Sequence, residues 1–282
     1  MTTTTDTAAL DFTELEKQEP AYRAVPLSRN RRMMAATLDI ARQQNNIQAM
    51  IEVDISEARR IIQEHRRQTG ERLSLTAYVV ACLARAVAEH PQLNAFRKGG
   101  NLILLDNVTI SVLVEREVAG EMMPENLGIR FAQKKTLRQI HDQIRAAQEH
   151  ADDGLGGLSG ATWVRFIPGF LMRTFIRLAS RNITMMDRYG AVGVTAVGMF
   201  GSKNEAMWLL PLVGGATVAV AVGGIVERPS LQNGRVENHE HLCLTVTFNH
   251  EIVDGAPAAR FLKTFSAHLK SGDLLRDEAV DE

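Results

Sequence analysis

Near the C-terminal end of the chain a histidine is followed, four residues later, by an aspartate and then a glycine, within Asn249-His250-Glu251-Ile252-Val253-Asp254-Gly255. A neutral imidazole, with an ordinary pKa near 6.5, can take a proton from a thiol or hydroxyl at neutral pH, so a histidine held in one place is a candidate general base. The flanking residues say how it would be held. Leu242, Leu244, Val246 and Phe248 alternate with Cys243, Thr245 and Thr247, which predicts a half-buried strand running directly into Asn249-His250. Asp254-Gly255 then turns the chain, Pro257 suits the first turn of a helix, and Ala258, Leu262, Phe265 and Leu269 recur on one helical face. The same residues admit a plainer reading, with His250 a polar strand end and Asp254 a turn carboxylate.

Longer segments add a family resemblance. NHEIVDGAPAARFLKTF resembles the DHRxxDGAxxAxFL signature of the 2-oxoacid dehydrogenase acyltransferases (dihydrolipoamide acyltransferases) and, more distantly, the HHxxxDG signature of chloramphenicol acetyltransferase. Four further stretches are similar to that catalytic domain and occur in the same order: Val25 to Leu38, Ile51 to Arg60, Leu73 to Ala95 and Val197 to Ile225. The resemblance runs from about Ala24 to Leu275. It implies an α/β fold, a chloramphenicol acetyltransferase-like mixed-sheet sandwich with flanking helices, assembled as a trimer with each active site between two subunits. It also implies His250 as the base. Counting back from Gly198-Met199-Phe200-Gly201 places Thr195 where the family has an oxyanion-holding serine, and a threonine hydroxyl can donate the same hydrogen bond. A strand hydroxyl bonded to backbone is the alternative for Thr195. Asp254 matches an architectural aspartate that would pair with a basic side chain, for which Arg31 stands at the family position and Arg32 beside it. Gly255 and Asn249 would support the site. Asn249 stands where the acyltransferases have aspartate, and Glu251 where they have arginine, so the charge around the base is changed. The implied acyl carrier is coenzyme A as substrate; no cofactor-binding residue is assigned and no metal is required.

Composition bounds the alternatives. With 45% hydrophobic and 23% charged residues over 282 positions, the chain is long enough for one large domain or two small ones, and its formal net charge of −1 gives no general attraction to nucleic acid. Cys82 and Cys243 show no CxxC spacing, which suits a reduced, cytoplasmic setting. Residues 1–20 are polar and read as a mobile tail, 21–275 as the acyltransferase domain and 276–282 as an acidic tail. These residues contain no DKA-type lipoylation sequence, so a lipoyl group would be supplied in trans, by a lipoyl-carrying protein or dehydrogenase components.

The pattern predicts helices over Arg29 to Gln44, Glu57 to Gln68, Leu73 to His90 and Thr136 to His150. Strands are expected over Ile51 to Ile55 and Thr217 to Ile225, with Leu102–Leu105 and Val108–Val114 pairing around Asp106-Asn107. Residues 155–189 depart most from the family. Arg165, Arg173, Arg177 and Arg181 fall at four- and eight-residue intervals beside a wide apolar face, which reads as a basic amphipathic helix broken at Pro168-Gly169. Such a segment could pack on a neighbour, cover an acyl substrate or touch an anionic membrane; it is too rich in arginine to span one. His239 and His241 share a strand face, and without a nearby carboxylate or cysteine cluster a metal site is not expected there; His65, His90, His141, His150 and His268 read as helix-surface residues. The expected activity is acyl transfer between coenzyme A and a thiol such as dihydrolipoamide. A coenzyme A-dependent transfer to a small molecule or lipid, and a catalytically silent trimeric scaffold, stand as alternatives.

Overall fold

The computed structural model describes residues 22–118, 121–149, 169–179, 181–202, 204–212, 214–232 and 234–280. Its centre is a six-stranded mixed sheet in the order β1-β8-β7-β6-β4-β5, where β1 is Asn46–Asp54, β4 Ile110–Val118, β5 Glu121–Ile129, β6 Val192–Ala196, β7 Val218–Gln232 and β8 Arg235–Asn249. Strands β4, β6 and β7 run parallel; the β1/β8, β7/β8 and β4/β5 pairs are antiparallel. A separate hairpin pairs β2, Ala95–Lys98, with β3, Asn101–Leu104.

One face of the sheet is buried under helices α2 (Ser56–Thr69), α3 (Leu75–Glu89), α4 (Leu137–Glu149), α7 (Gly255–Ser271) and α8 (Asp273–Val280). Alternate residues of β8, namely Leu242, Leu244, Val246 and Phe248, enter this core, as the period-two pattern requires. Helix α3 is apolar all round because it is enclosed nearly all round: Tyr78 through Ala84 are buried without interruption. Its one deep polar atom is satisfied, the Tyr78 hydroxyl donating to the carbonyls of His268 and Leu269 at 2.9 and 3.0 Å. From α7, Phe261 and Phe265 stack at 6.0 Å and are fully buried, each worth roughly 1.5–3 kcal/mol in removed apolar surface.

The other face of β7 and β8 is crossed by the irregular chain between β6 and β7. The Thr247 hydroxyl and the Gln48 amide both donate to the Pro211 carbonyl, at 2.8 and 3.0 Å, and the Gly224 N–H donates to the Met207 carbonyl at 3.0 Å. Strand β7 admits this crossing only because it carries Gly223-Gly224. A Cβ at Gly223 would run into the Met207 carbonyl and one at Gly224 into that of Glu205; the ladder to β8 shifts register here, between Val222 and Ile225.

Two expectations are corrected. Residues 101–104 and 110–118 do not pair with each other: the first joins β2 in the separate hairpin and the second joins β5 and β6, because Phe96 and Ile103 form a small core of their own with Met186 and Ala191. His65 is buried rather than on a helix surface, and His90 packs edge-on against Phe261 at 5.8 Å while its Nε2 lies 2.9 Å from the Thr264 hydroxyl. Helix α1, Arg29–Ala41, stops three residues short of the predicted end. The basic segment does form helix α5, Gly169–Ala179, starting directly after Pro168, followed by α6, Ile183–Tyr189. Helix α5 packs on α1, and the Arg177 guanidinium donates to the Gln43 side chain at 2.8 Å. Arg165, His150 and the tail 1–20 lie outside the described residues. Among the described residues no helix is long and apolar enough to cross a membrane.

Candidate active site

Strand β8 ends at Asn249, with β1 on one side and β7 on the other, and the chain leaves the sheet through a turn that Asn249 itself organises. The Asn249 N–H donates to the Thr217 carbonyl at 2.9 Å, its buried side-chain oxygen accepts the Glu251 N–H at 3.0 Å, and its carbonyl accepts the N–H groups of Ile252 and Val253 at 3.0 Å each. His250 is held between these contacts, its own N–H donating 2.7 Å to the Asn45 carbonyl just before β1. The backbone is fixed while the imidazole stands outward, 44% exposed. Asp254 precedes α7 without capping it through its side chain; its Oδ1 lies 3.8 Å from His250 Nδ1 and it is 84% exposed. That separation is too long for a hydrogen bond, so within one chain the pair is a weak electrostatic contact.

The expected partnership of Asp254 with Arg31 is not formed within the chain. Arg31 lies in the exposed first turn of α1, its N–H donating to the Ser28 hydroxyl at 3.2 Å, and the ion-pair partner that the Asp254 carboxylate finds among the described residues is His250. Arg32 is exposed on the same turn. Gly255 opens α7, and a Cβ there would meet open space, so packing within one chain does not require the glycine.

Glu251, the charge change next to His250, has a partner. Arg97 on the β2–β3 hairpin donates to its carboxylate at 2.9 Å, bracing the histidine turn against an element 154 residues away in sequence. Between this turn, the hairpin and helices α1 and α5 lies a cavity of about 510 Å³, bordered by Asn249, Glu251 and Ile252 on one side and by Arg97, Arg177 and Arg181 on others.

Thr195 is not beside His250. The register runs Thr195 to Ala221 on β7 and Ala221 to Thr245 on β8, so Thr195 is two strands across from a residue five positions before the histidine. At about 3.4 Å per residue that is roughly 17 Å along the sheet, before the two strand spacings are added. Its hydroxyl lies on the face opposite the helices, since Val192 and Val194 face the core.

A pairing that sequence reasoning missed lies at the other end of β8. His239 Nδ1 is 2.7 Å from Asp54 Oδ2, and Asp54 Oδ1 accepts both the N–H and the hydroxyl of Ser56, at 3.0 and 2.7 Å. The signal was available in principle: Asp54 ends β1, and strand pairing sets it opposite His241. Partial burial pushes the Asp54 carboxyl up, but the Ser56 N–H, His239 and the Ser56 hydroxyl outweigh it and hold the group below the ordinary aspartate range. Among the described residues no cluster of three or more His, Cys, Asp or Glu side chains could hold a metal.

Comparison with known proteins places this arrangement. A model of the family described as 2-oxoacid dehydrogenases acyltransferase (catalytic domain) matches residues 19–159 and 177–275. The dihydrolipoyllysine-residue acetyltransferase component of the acetoin cleaving system of Bacillus subtilis (strain 168) is 26% identical over 204 residues, 71% of this chain and 42% of that protein. The corresponding component of the pyruvate dehydrogenase complex of Staphylococcus aureus (strain Mu50) is 22% identical over 272 residues, 94% of this chain and 54% of that protein. The chain thus spans about half the length of the curated relatives it matches. Among solved structures, the cubic core of the pyruvate dehydrogenase multienzyme complex superposes with a TM-score of 0.68 at 17% identity, covering 95% of this chain and 97% of that one. A probable dihydrolipoamide acetyltransferase from Listeria monocytogenes 4b F2365 superposes with 0.65 at 21% identity, covering 88% and 94%. These likenesses establish the shared fold.

Proposed function

Because the chain belongs to the 2-oxoacid dehydrogenase acyltransferase family, we propose that it transfers an acyl group between coenzyme A and a thiol such as dihydrolipoamide, with His250 as general base. The observation that carries the reading is the way Asn249 and Asn45 immobilise the His250 backbone while leaving its ring open to a substrate. In the reaction the imidazole takes the proton of the acceptor thiol, and the sulfur attacks the thioester carbonyl. The resulting tetrahedral oxyanion collapses, and the departing thiolate recovers the proton from the imidazolium. Thr195 is the proposed oxyanion donor. Its distance from His250 along the sheet means that it would serve the histidine of a neighbouring copy, which supports a trimer, or a multiple of trimers, with each site between two subunits. Asp254, exposed in one chain, would complete its contacts in the same assembly, where Gly255 would also meet a neighbour.

The lipoyl group would come from a separate protein of a dehydrogenase complex. Relatives in the family are named as acetyltransferase and succinyltransferase components, so the family leaves the acyl group open. A second reading, transfer from coenzyme A to a small molecule, is favoured by the polar cavity beside the histidine turn, which α5 helps to enclose. Acyl exchange between a panel of acyl-coenzyme A thioesters and dihydrolipoamide tests the first reading, with His250→Ala as control. Turnover that the variant loses supports it; turnover only with another acceptor favours the second reading; wild type and variant equally inert would leave a scaffold role.

A further inference from the structure

The histidine turn is anchored at both ends and open at its apex. Asn249 and Val253 are buried, while His250 and Glu251 between them are exposed. The Asn249 N–H and carbonyl fix the backbone of the two ends, against Thr217 on one side and against Ile252 and Val253 on the other. The side chains of the apex depend on what reaches them from outside the turn.

Arg97 reaches the apex. Its Nη1 donates to the Glu251 carboxylate at 2.9 Å, and its Nε donates to the Gly99 carbonyl at 3.2 Å, so the guanidinium is held by its own hairpin before it meets the turn. Gly99, at a φ of 62°, takes the left-handed conformation that glycine adopts without strain, and this closes the hairpin tightly enough for its carbonyl to accept from Arg97. The hairpin is also tied to the root of the turn. Thr217, fully buried, donates its hydroxyl to the Ala95 carbonyl at the start of β2 and accepts the Asn249 N–H with its own carbonyl. The β2–β3 hairpin therefore meets the His250 turn twice, through a buried threonine at the root and through an ion pair at the apex.

The ion pair is poorly placed to stabilise the fold. The Arg97 side chain is 63% exposed and that of Glu251 33%, and pairs so open to water add little to stability. Placement is a different matter, because a general base acts only within hydrogen-bond reach of its proton, and a displacement of about 1 Å can cost about 10²-fold in rate.

We propose that Arg97 is a positioning residue for the general base, acting through Glu251 to set where the His250 ring stands. The inference rests on the acyltransferase reading for what the ring does, and on the two contacts of Arg97 for how it is placed. It gives the charge change beside His250 a function: where the resembled signature carries arginine on the turn, this chain carries an acid there and its arginine on the hairpin.

Charge exchange in the full chain tests the assignment. Glu251→Arg restores the residue of the signature, yet it should lower kcat by about tenfold or more, because Arg97 then repels it; Arg97→Glu should do the same, each with little change in KM or in the urea midpoint. The two variants alter the local charge in opposite directions, so a loss common to both reports position. The double variant, Arg97→Glu with Glu251→Arg, remakes the pair in reverse and should recover kcat to within about threefold of the wild type. Full activity in Glu251→Arg, a double variant no better than the single ones, or losses confined to KM would each overturn the proposal. A second readout does not need turnover. Nuclear Overhauser contacts of the labelled His250 ring, assigned by their loss in His250→Ala, should change in each single variant and return in the double one. If the wild type transfers no acyl group, the acyltransferase reading alone falls; ring contacts that stay the same in the single variants would remove the positioning role and leave the reaction.

Discussion

Strand β8 presents a histidine next to an aspartate near each of its ends, and the two pairs are built in opposite ways. At one end His239 and Asp54 meet at 2.7 Å, with side chains 15% and 32% exposed, and Ser56 occupies the second carboxylate oxygen. At the other, His250 and Asp254 stand 3.8 Å apart, 44% and 84% exposed. Judged by geometry in a single chain, the first pair is the better dyad. It is also saturated, tying β1 to the β7–β8 ribbon and the start of α2. The second is fixed only through backbone, and its ring is left unfinished. A group that must exchange a proton with a substrate needs that unfinished quality, whereas a group that staples strands together needs none of it.

The contrast is broken most severely by exchanging the consequences. His250→Ala should lower acyl transfer by about 10²–10⁴-fold with little change in unfolding midpoint, whereas His239→Ala should keep turnover and lose about 1–2 kcal/mol in urea unfolding. Comparable losses of turnover in both variants would show that the two ends are not functionally distinct. Next in size is Thr195→Ala, expected to reduce kcat by about 10²-fold or more, with Thr195→Ser retaining most of it. Mixing subunits of the His250→Ala and Thr195→Ala proteins after dissociation sharpens this. Recovered activity would mean that an intact histidine and an intact threonine from different copies meet, and persistent inactivity would return Thr195 to a structural role.

Smaller effects follow from charge. The Asp54 carboxyl is held below its unfolded value, so its contribution is present above about pH 4 and is lost as the pH falls through its folded value. Acid unfolding of His239→Ala should then show a shallower slope in that range than the wild type; identical profiles would mean that His239 does not stabilise the carboxylate. Smallest is an expected silence. Burial pushes the Cys82 thiol up to about 12, and a thiol reagent at pH 8 should leave it unlabelled in the folded protein while labelling it in denaturant.

Much of the fold was legible because it is written in local pattern. The alternation that leads to His250 and the all-round apolarity of Tyr78–Ala84 each mark an element that is where it was expected, although β8 is not half-buried: Cys243, Thr245 and Thr247 are buried as well, on the face crossed by the chain between β6 and β7. What escaped depends on partners distant in sequence. Arg97 and Glu251 share no local pattern, and their contact exists only because the β2–β3 hairpin folds toward the end of β8. His239 gained its aspartate through the β1–β8 register, and Leu102–Leu105 was paired with its nearest candidate in sequence when its mate was β2. At the site, spacing identified the histidine turn, and motif alignment named Thr195, but neither could state that five residues of strand separate the two within one chain.

The side chain that closes the histidine turn is an amide, where the resembled signature has an acid. Asn249 holds the Glu251 N–H through an oxygen that carries no titratable proton, in a buried position. That hydrogen bond is therefore indifferent to acidity over the whole range in which the sheet is intact. The amide that holds the turn around His250 therefore contributes no limb of its own to the pH–rate profile of this protein.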